Sequence, residues 1–419
     1  MSRFSSNLWV LGQINRRRTG EGDMRRSKRK KASRNTTTTI SISELPDHIV
    51  CDILSRLPLN SIFTCKRVCK LWRDLTLGPY FAKLHHSRSP LSLISYHDGN
   101  DNNNSPSSHF EILQLHDPLV LGRRNRAMKF RTDIDFPRMH TQVVASCNGS
   151  ILLRNSSSSD DELVIVCNPL RAQHFILPKP PTPKLALHTQ KSFRFGFGHS
   201  PSTDQYKVLR LTHTRGPDRL YCDVYTIGIN DEWRIIGDTR QTPTIIISQI
   251  IFLNGALHWI GLELENARFI YYFDIEKEQF GSFPLPSCIG KDCNSFGLVD
   301  NRLYLHNDHS FCEWRIWEMK DYGDFGSWTL EWVIEQPIIR EFKGYVEPLK
   351  MLKDGSLLMM FKKTSQRTPV TKTTLASYNP QTRVLKKITY HVIVCRTWST
   401  WSASVADIPC FFSPMDALK

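Results

Sequence analysis

Leu253-Asn254-Gly255-Ala256-Leu257-His258-Trp259 is a two-residue turn followed at once by a compact apolar run. The same unit occurs as Cys147-Asn148-Gly149-Ser150-Ile151-Leu152-Leu153, as Asp300-Asn301-Arg302-Leu303-Tyr304-Leu305 and as Lys353-Asp354-Gly355-Ser356-Leu357-Leu358. Asn-Gly and Asp-Gly are hairpin dipeptides, because tight hairpin turns need positive φ at their centre. Counted on the second turn residue, the units stand at 149, 255, 301 and 355, with intervals of 106, 46 and 54. The first interval is two periods, and a turn over 202–205 fills the gap ahead of an apolar run at 206–211. A second unit of strand, polar turn and bulky apolar residue recurs over 164–177, 224–236, 270–285, 311–333 and 375–388. Helical periodicity is absent from 143 to 390. A period near fifty with about four strands each is the signature of a propeller blade, which must stack on its neighbours to bury its faces. The span 90–410 holds about six blades. Ring closure then needs a strand over 91–96 to share one blade with the segment after Tyr390.

Upstream the texture is different. Residues 43–85 read SELPDHIVCDILSRLPLNSIFTCKRVCKLWRDLTLGPYFAKLH, two or three short helices ahead of an otherwise strand-rich chain. Pro46 sits where a helix start tolerates proline, and Ile49, Ile53, Leu54 and Leu57 then fall on one helical face. Pro58 stops that helix, and a second amphipathic run sets Ile62, Cys65, Val68, Cys69 and Trp72 on its apolar side before Gly78-Pro79. Below about 40 residues a unit rarely buries a sufficient core alone, so these apolar faces ask for a partner.

On Leu45-Pro46, Ile49, Ile53-Leu54, Arg56-Leu57-Pro58, Ser61-Ile62, Arg67-Val68-Cys69-Lys70, Trp72 and Pro79-Tyr80-Phe81, residues 41–86 resemble the F-box. That resemblance implies docking on a Skp-type adaptor, and through it on a cullin scaffold and a RING protein. The implied adaptor contacts are Leu45, Pro46, Ile49, Ile53, Leu54, Leu57, Pro58, Ile62, Val68, Cys69 and Trp72. The sequence departs from the motif at Cys51, where an acidic residue is common, and at Asn60, where lysine is usual; both positions are expected to be exposed. Farther on, Asn168-Pro169-Leu170-Arg171, Phe195-Gly196-Phe197-Gly198 with Asp204 and Tyr206-Lys207-Val208, Ile316 to Gly323 with Ser327-Trp328, and Tyr378-Asn379-Pro380 resemble the kelch-related F-box-associated interaction domain. The kelch Gly-Gly doublet is missing. The expected fold is therefore a small all-α F-box module followed by an all-β repeat domain of β-propeller type. The resemblance implies a substrate receptor of a ubiquitin ligase, with no catalysis of its own and an unknown protein target.

The formal net charge of +15 is unevenly placed. Residues 1–40 hold eleven Lys/Arg against Glu21 and Asp23, so +9 sits in a leader with no apolar periodicity, which reads as disordered. Its clusters, Arg16-Arg17-Arg18 and Arg25, Arg26, Lys28, Arg29, Lys30 and Lys31, suit a nuclear import signal, or phosphate contact in a nucleic-acid-binding alternative. Eleven scattered cysteines, several in apolar runs (Cys147, Cys167, Cys395), read as buried thiols of a reducing compartment. With no long apolar run and no secretory leader, the expectation is a soluble protein of nucleus or cytoplasm, off the membrane.

Catalytic constellations are sparse. There is no Gly-x-Ser-x-Gly, P-loop or zinc-protease motif, and Gly196-Phe197-Gly198 lacks a third glycine. Cys288 and Cys293 have no second pair at finger spacing, and His306, Asp308, His309 and Cys312 read as a hairpin turn, so no metal or cofactor is expected. His85-His86 are expected to face solvent, and Asp160-Asp161-Glu162 reads as a loop. The target face is sought among Arg194, Trp233, Trp259, Arg315 and Trp328, the tryptophans being expected mainly as packing wedges between blades. A propeller enzyme is the third reading, and it lacks an assembled constellation in the sequence.

Overall fold

In a computed structural model of the protein, the described residues are 45–97, 109–116, 128–131, 140–156, 163–181, 191–214, 219–229, 231–238, 245–263, 267–286, 289, 293–307, 313–335, 345–364, 371–395, 404–411 and 413–418. The basic leader with its import clusters, the polar loop 98–108, Asp160-Asp161-Glu162, Cys288, and Asp308, His309 and Cys312 lie outside them.

Four helices open the described chain: α1 (Asp47–Ser55), α2 (Leu59–Cys65), α3 (Lys70–Leu77) and α4 (Pro79–Arg88). Pro46 and Pro58 hold extended backbone immediately before α1 and α2, where a residue without an N–H costs nothing. Pro79 takes the first position of α4, so Gly78-Pro79 opens a fourth helix. The run from Ile62 to Trp72 is two helices, not one. Cys69 lies at φ −155°, outside helical space, and this resets the helical phase. Val68 and Cys69 are exposed at that break.

Six antiparallel sheets follow. Blade 1 joins strands Ser92–His97, His109–Gln114 and Met128–Arg131 to the late strand Ser404–Asp407, which pairs with Ser92–His97. The closure expected from residues 91–96 and the segment after Tyr390 is the one observed. Blades 2 to 6 occupy 140–176, 191–238, 245–284, 293–335 and 345–395 in order, each a meander of hydrogen-bonded neighbours. Their inner turns carry the expected signature: Asn148, Gly149, Asn254, Gly255, Asp300 and Asn301 all have positive φ. The turns between third and fourth strands of blades 2, 4 and 6 are alike as well. Asn168, Asp274 and Asn379 each accept two following backbone N–H groups through Oδ1, and Ala172, Glu278 and Arg383 each adopt positive φ four residues on.

Burial on both faces of each sheet explains why the strands read as unbroken apolar runs. In blade 6, Leu357, Met359 and Phe361 face Trp314 and Trp332 of blade 5, while Leu358 and Met360 face Leu93 and Leu113 of blade 1. Trp259 (0% exposed), Tyr271 and Phe273 fill the seam between blades 3 and 4, and Trp317 and Trp328 the seam between 4 and 5. At about 25 cal/mol per Å² of buried apolar surface, such rings dominate the stability of the domain.

Candidate functional site

The helical module keeps part of its apolar surface outside. Ile49 (38% exposed) and Ile53 (43%) lie one turn apart on α1, and Val68 (61%), Leu71 (42%), Leu77 (40%) and Tyr80 (57%) are exposed beyond it. Leu71, Leu75 and Tyr80 line an open groove of about 860 Å³, with Asp47 and Asp74 also on its walls. Of the residues expected at the adaptor surface, Pro46, Ile49, Ile53, Pro58, Val68 and Cys69 are exposed, and Leu45 and Leu57 are half-buried. Leu54, Ile62 and Trp72 are not on the surface. All three are buried, where their side chains pack within the module. Cys51, expected to be exposed, is buried on the inner face of α1, and burial pushes its thiol pKa up. Asn60 is exposed as expected. Arg88 clasps α4 to α1, with Nη2 2.6 Å from Asp52 Oδ1 and Nη1 donating to Ser55 Oγ at 2.5 Å.

The module is fastened to the ring by an aromatic knot centred on Phe411. That ring lies 5.5 Å from Phe81, 5.1 Å from His85 and 6.0 Å from Phe63, and Phe63 reaches Phe130 of blade 1 at 5.3 Å. Lys66 Nζ stands 4.1 Å over the Phe411 ring; burial, and then Arg171, hold its pKa down to about 8. His85 is thus no solvent-facing residue. It is 2% exposed between Phe81 and Phe411, and burial, then His86 and Lys66, push its pKa down to about 4.

Phe411 is itself held by blade 2. Asn168 Nδ2 donates to Cys410 O at 3.0 Å, and Arg171 Nη1 reaches Phe411 O at 3.3 Å and Asp416 Oδ2 at 2.5 Å. The Gly149 N–H donates to Asp407 Oδ2 at 3.1 Å, and burial pushes the Asp407 carboxyl up to about 6. A side chain at Gly149 would place its Cβ 2.1 Å from Cys410 N. The Asn-Gly and Asn-Pro-x-Arg motifs of blade 2 therefore form the seat for the closing segment.

On the ring, Trp233, Trp259 and Trp328 are buried wedges, while Arg194 and Arg315 are exposed. Gly196 and Gly198 sit where Leu257 and Ile275 of blade 4 press on the first strand of blade 3, so they serve close blade packing and cradle no phosphate. His306 is buried on its strand. Among the described residues, one group could hold a metal ion: His97, His109 and Glu111, with ligand atoms within 4.8 Å of one another. Glu111 is engaged by His97 at 3.2 Å and Lys129 at 3.3 Å, and these contacts, His97 first, pull its pKa down to about 2. None of the eight cysteines whose side chains are described is in a disulfide, and no described helix is long and apolar enough to cross a membrane.

Comparison with known proteins matches residues 42–84 to the F-box domain and residues 102–413 to the F-box associated beta propeller domain. The Arabidopsis thaliana F-box protein At3g07870 is 25% identical over 419 aligned residues, covering 90% of this chain and 94% of its own. The F-box/kelch-repeat protein At3g23880 of Arabidopsis thaliana is 24% identical over 350 residues, covering 78% and 87%. Among solved structures, TolB from Acinetobacter baumannii aligns with a TM-score of 0.44 and 8% identity over 74% of this chain and 66% of that one.

Proposed function

Because the chain belongs to the F-box proteins that carry an F-box associated β-propeller domain, we propose that it is the subunit of a Skp–cullin–F-box ubiquitin ligase that recruits a protein target for ubiquitination and degradation. F-box domains in general bind Skp-type adaptors of cullin–RING ligases. Here the adaptor surface comprises Leu45, Pro46, Ile49, Ile53, Leu57, Pro58, Val68 and Cys69, widened by Leu71 and Tyr80. Leu54, Ile62 and Trp72 shape that surface from beneath. The observation that carries this reading is the coincidence of the 42–84 match with an apolar face left open by a module whose own core is already filled.

Such a subunit works by position. The Phe411 knot fixes the module to the ring, so a target held on the propeller is kept at a set distance from the ubiquitin-loaded enzyme, which raises its effective concentration there. Adaptor co-purification tests this, comparing the native chain with a Leu45→Ala/Pro46→Ala variant. Recovery should fall sharply, and equal recovery sinks the proposal.

The +9 leader supports a second, compatible role as an import signal that places the receptor in the nucleus. Replacing Arg25, Arg26, Lys28, Arg29, Lys30 and Lys31 by alanine should shift a fluorescent fusion to the cytoplasm. A distribution like that of the native chain removes this role. If the leader binds nucleic acid instead, a salt-sensitive association of residues 1–40 is expected.

A further inference from the structure

Blade 1 carries a cluster of ligand-type side chains that belongs neither to the adaptor face nor to the Phe411 knot. Strand Ser92–His97 pairs antiparallel with His109–Gln114, and this register sets His97 directly opposite His109. Their imidazole rings stack, with centroids 4.9 Å apart and planes 9° from parallel. Glu111 follows His109 by two residues, so the strand's period of two returns it to the same face. Strand pairing thus assembles two imidazoles and a carboxylate that the sequence holds apart.

That face is the one on which blade 1 packs against blade 6. Leu93, Leu113 and Leu115 meet Leu358, Met360 and Leu375 there. Along the same alternation the apolar side chains end, and His97, His109 and Glu111 take over. All three are half-buried, sheltered at the edge of an apolar seam and still within reach of an ion.

The donor geometry is close to what a small divalent ion needs. His97 Nε2 is 3.2 Å from Glu111 Oε2, and His109 Nε2 is 3.9 Å from Glu111 Oε1. One ligand atom from each of the three side chains lies within 4.8 Å of the other two. Zinc held by histidine nitrogen and carboxylate oxygen at about 2.0–2.2 Å keeps tetrahedral ligands about 3.3–3.6 Å apart. The closest pair is already near that spacing, and side-chain rotation closes the rest. Two imidazoles and one carboxylate are a borderline donor set, suited to Zn2+ rather than to Mg2+ or Ca2+. Lys129 Nζ holds Glu111 Oε1 at 3.3 Å, but its side chain is 64% exposed and can turn away into water.

We propose that His97, His109 and Glu111 bind one Zn2+ ion, with water in the fourth position. The ion clamps strands Ser92–His97 and His109–Gln114 together in the blade that closes the ring. Ser92 begins its strand just after α4 ends at Arg88, and His97 stands at the other end of that strand, about 17 Å along it. Metal binding is therefore clear of the helices, and the proposal is independent of the ligase role.

The test uses the full chain, purified without a polyhistidine tag, stripped with a chelator and then equilibrated with Zn2+. Metal analysis after gel filtration should find one equivalent more zinc on the native chain than on Glu111→Gln or His97→Ala. Competition with a chromogenic chelator should show at least tenfold weaker binding in each variant. Zn2+ should raise the melting temperature of the native chain and leave that of Glu111→Gln unmoved. Lys129→Ala removes a competing cation and should tighten zinc binding at least twofold, a gain that a merely structural ion pair does not predict. Should a variant fold poorly, Co2+ added to the native chain gives the readout: intense visible bands of a tetrahedral ion, abolished by equimolar Zn2+. The site is overturned if native chain and Glu111→Gln retain the same zinc with the same affinity. It is equally overturned if Co2+ shows only the weak bands of a six-coordinate ion, or the thiolate absorption of a cysteine site.

Discussion

The helical module and the ring treat the same kind of side chain in opposite ways. Residues 45–88 contain six of the fourteen large exposed apolar side chains among the described residues, although they are a small part of the chain. The ring spreads the other eight over five of its six blades and buries aromatic residues between sheets. Repetition accounts for the difference. A blade finds a matching apolar face on each neighbour, whereas four short helices have no such neighbour and leave Ile49, Ile53 and Val68 unmatched. The ring covers its own apolar faces blade by blade, and the module leaves part of its apolar surface open.

Perturbing the seat of the closing segment should affect both regions at once. Gly149→Val combines a clash with Cys410 N and a φ of 73° that a β-branched residue does not tolerate. The expected cost exceeds about 3 kcal/mol. Calorimetry should then show ring and module melting earlier together, and a native-like melting temperature would mean that closure does not depend on this seat.

Phe411→Ala separates the two regions. Removing the shared ring from Phe63, Phe81 and His85 should cost about 3–5 kcal/mol. Hydrogen exchange should accelerate in α1 to α4 while blades 3 to 5 keep their protection; uniform acceleration would contradict a local knot.

Acid should loosen the same joint by a smaller amount. His85 is held neutral, its pKa lowered from 6.5 to about 4, so its contribution is complete above pH 6.5 and is lost as pH falls toward 4. The loss is on the order of 3 kcal/mol. His85→Leu should therefore lose less stability than the native chain between pH 7.5 and pH 4.5 in urea titrations. Equal losses would place the acid sensitivity elsewhere, for instance at buried His258, which is also held down to about 4.

The smallest effect on the fold belongs to the open face. Ile53→Asp and Val68→Asp should change stability by no more than about 0.5 kcal/mol. Adaptor affinity should fall by about 2 kcal/mol for each central contact. A large change in melting temperature would mean that these side chains serve the chain's own core.

Local chemistry made much of this legible in the sequence. Asn-Gly and Asp-Asn turns, two Leu-Pro steps and apolar runs at a near-fifty period are short-range signals, and they marked the helices, the blades and the shared closing blade. What escaped depends on residues far apart in the chain. Cys51 and His85 read as exposed because nothing near them announces burial, and the ring that covers His85, Phe411, lies at the other end of the chain. The break at Cys69 carries no glycine or proline.

The seat on blade 2 also sets the order in which the receptor can be assembled. Cys410 Sγ meets Ala82 O across 328 residues, and the Gly149 N–H meets Asp407 across 258. Translation delivers the helices first and the segment that anchors them only after six blades' worth of chain has emerged. Contacts of such long sequence separation form late. A ribosome that stops before residue 404 releases helices with an open apolar face but no fixed orientation toward the ring. Full synthesis is therefore a condition for a correctly aimed ligase subunit.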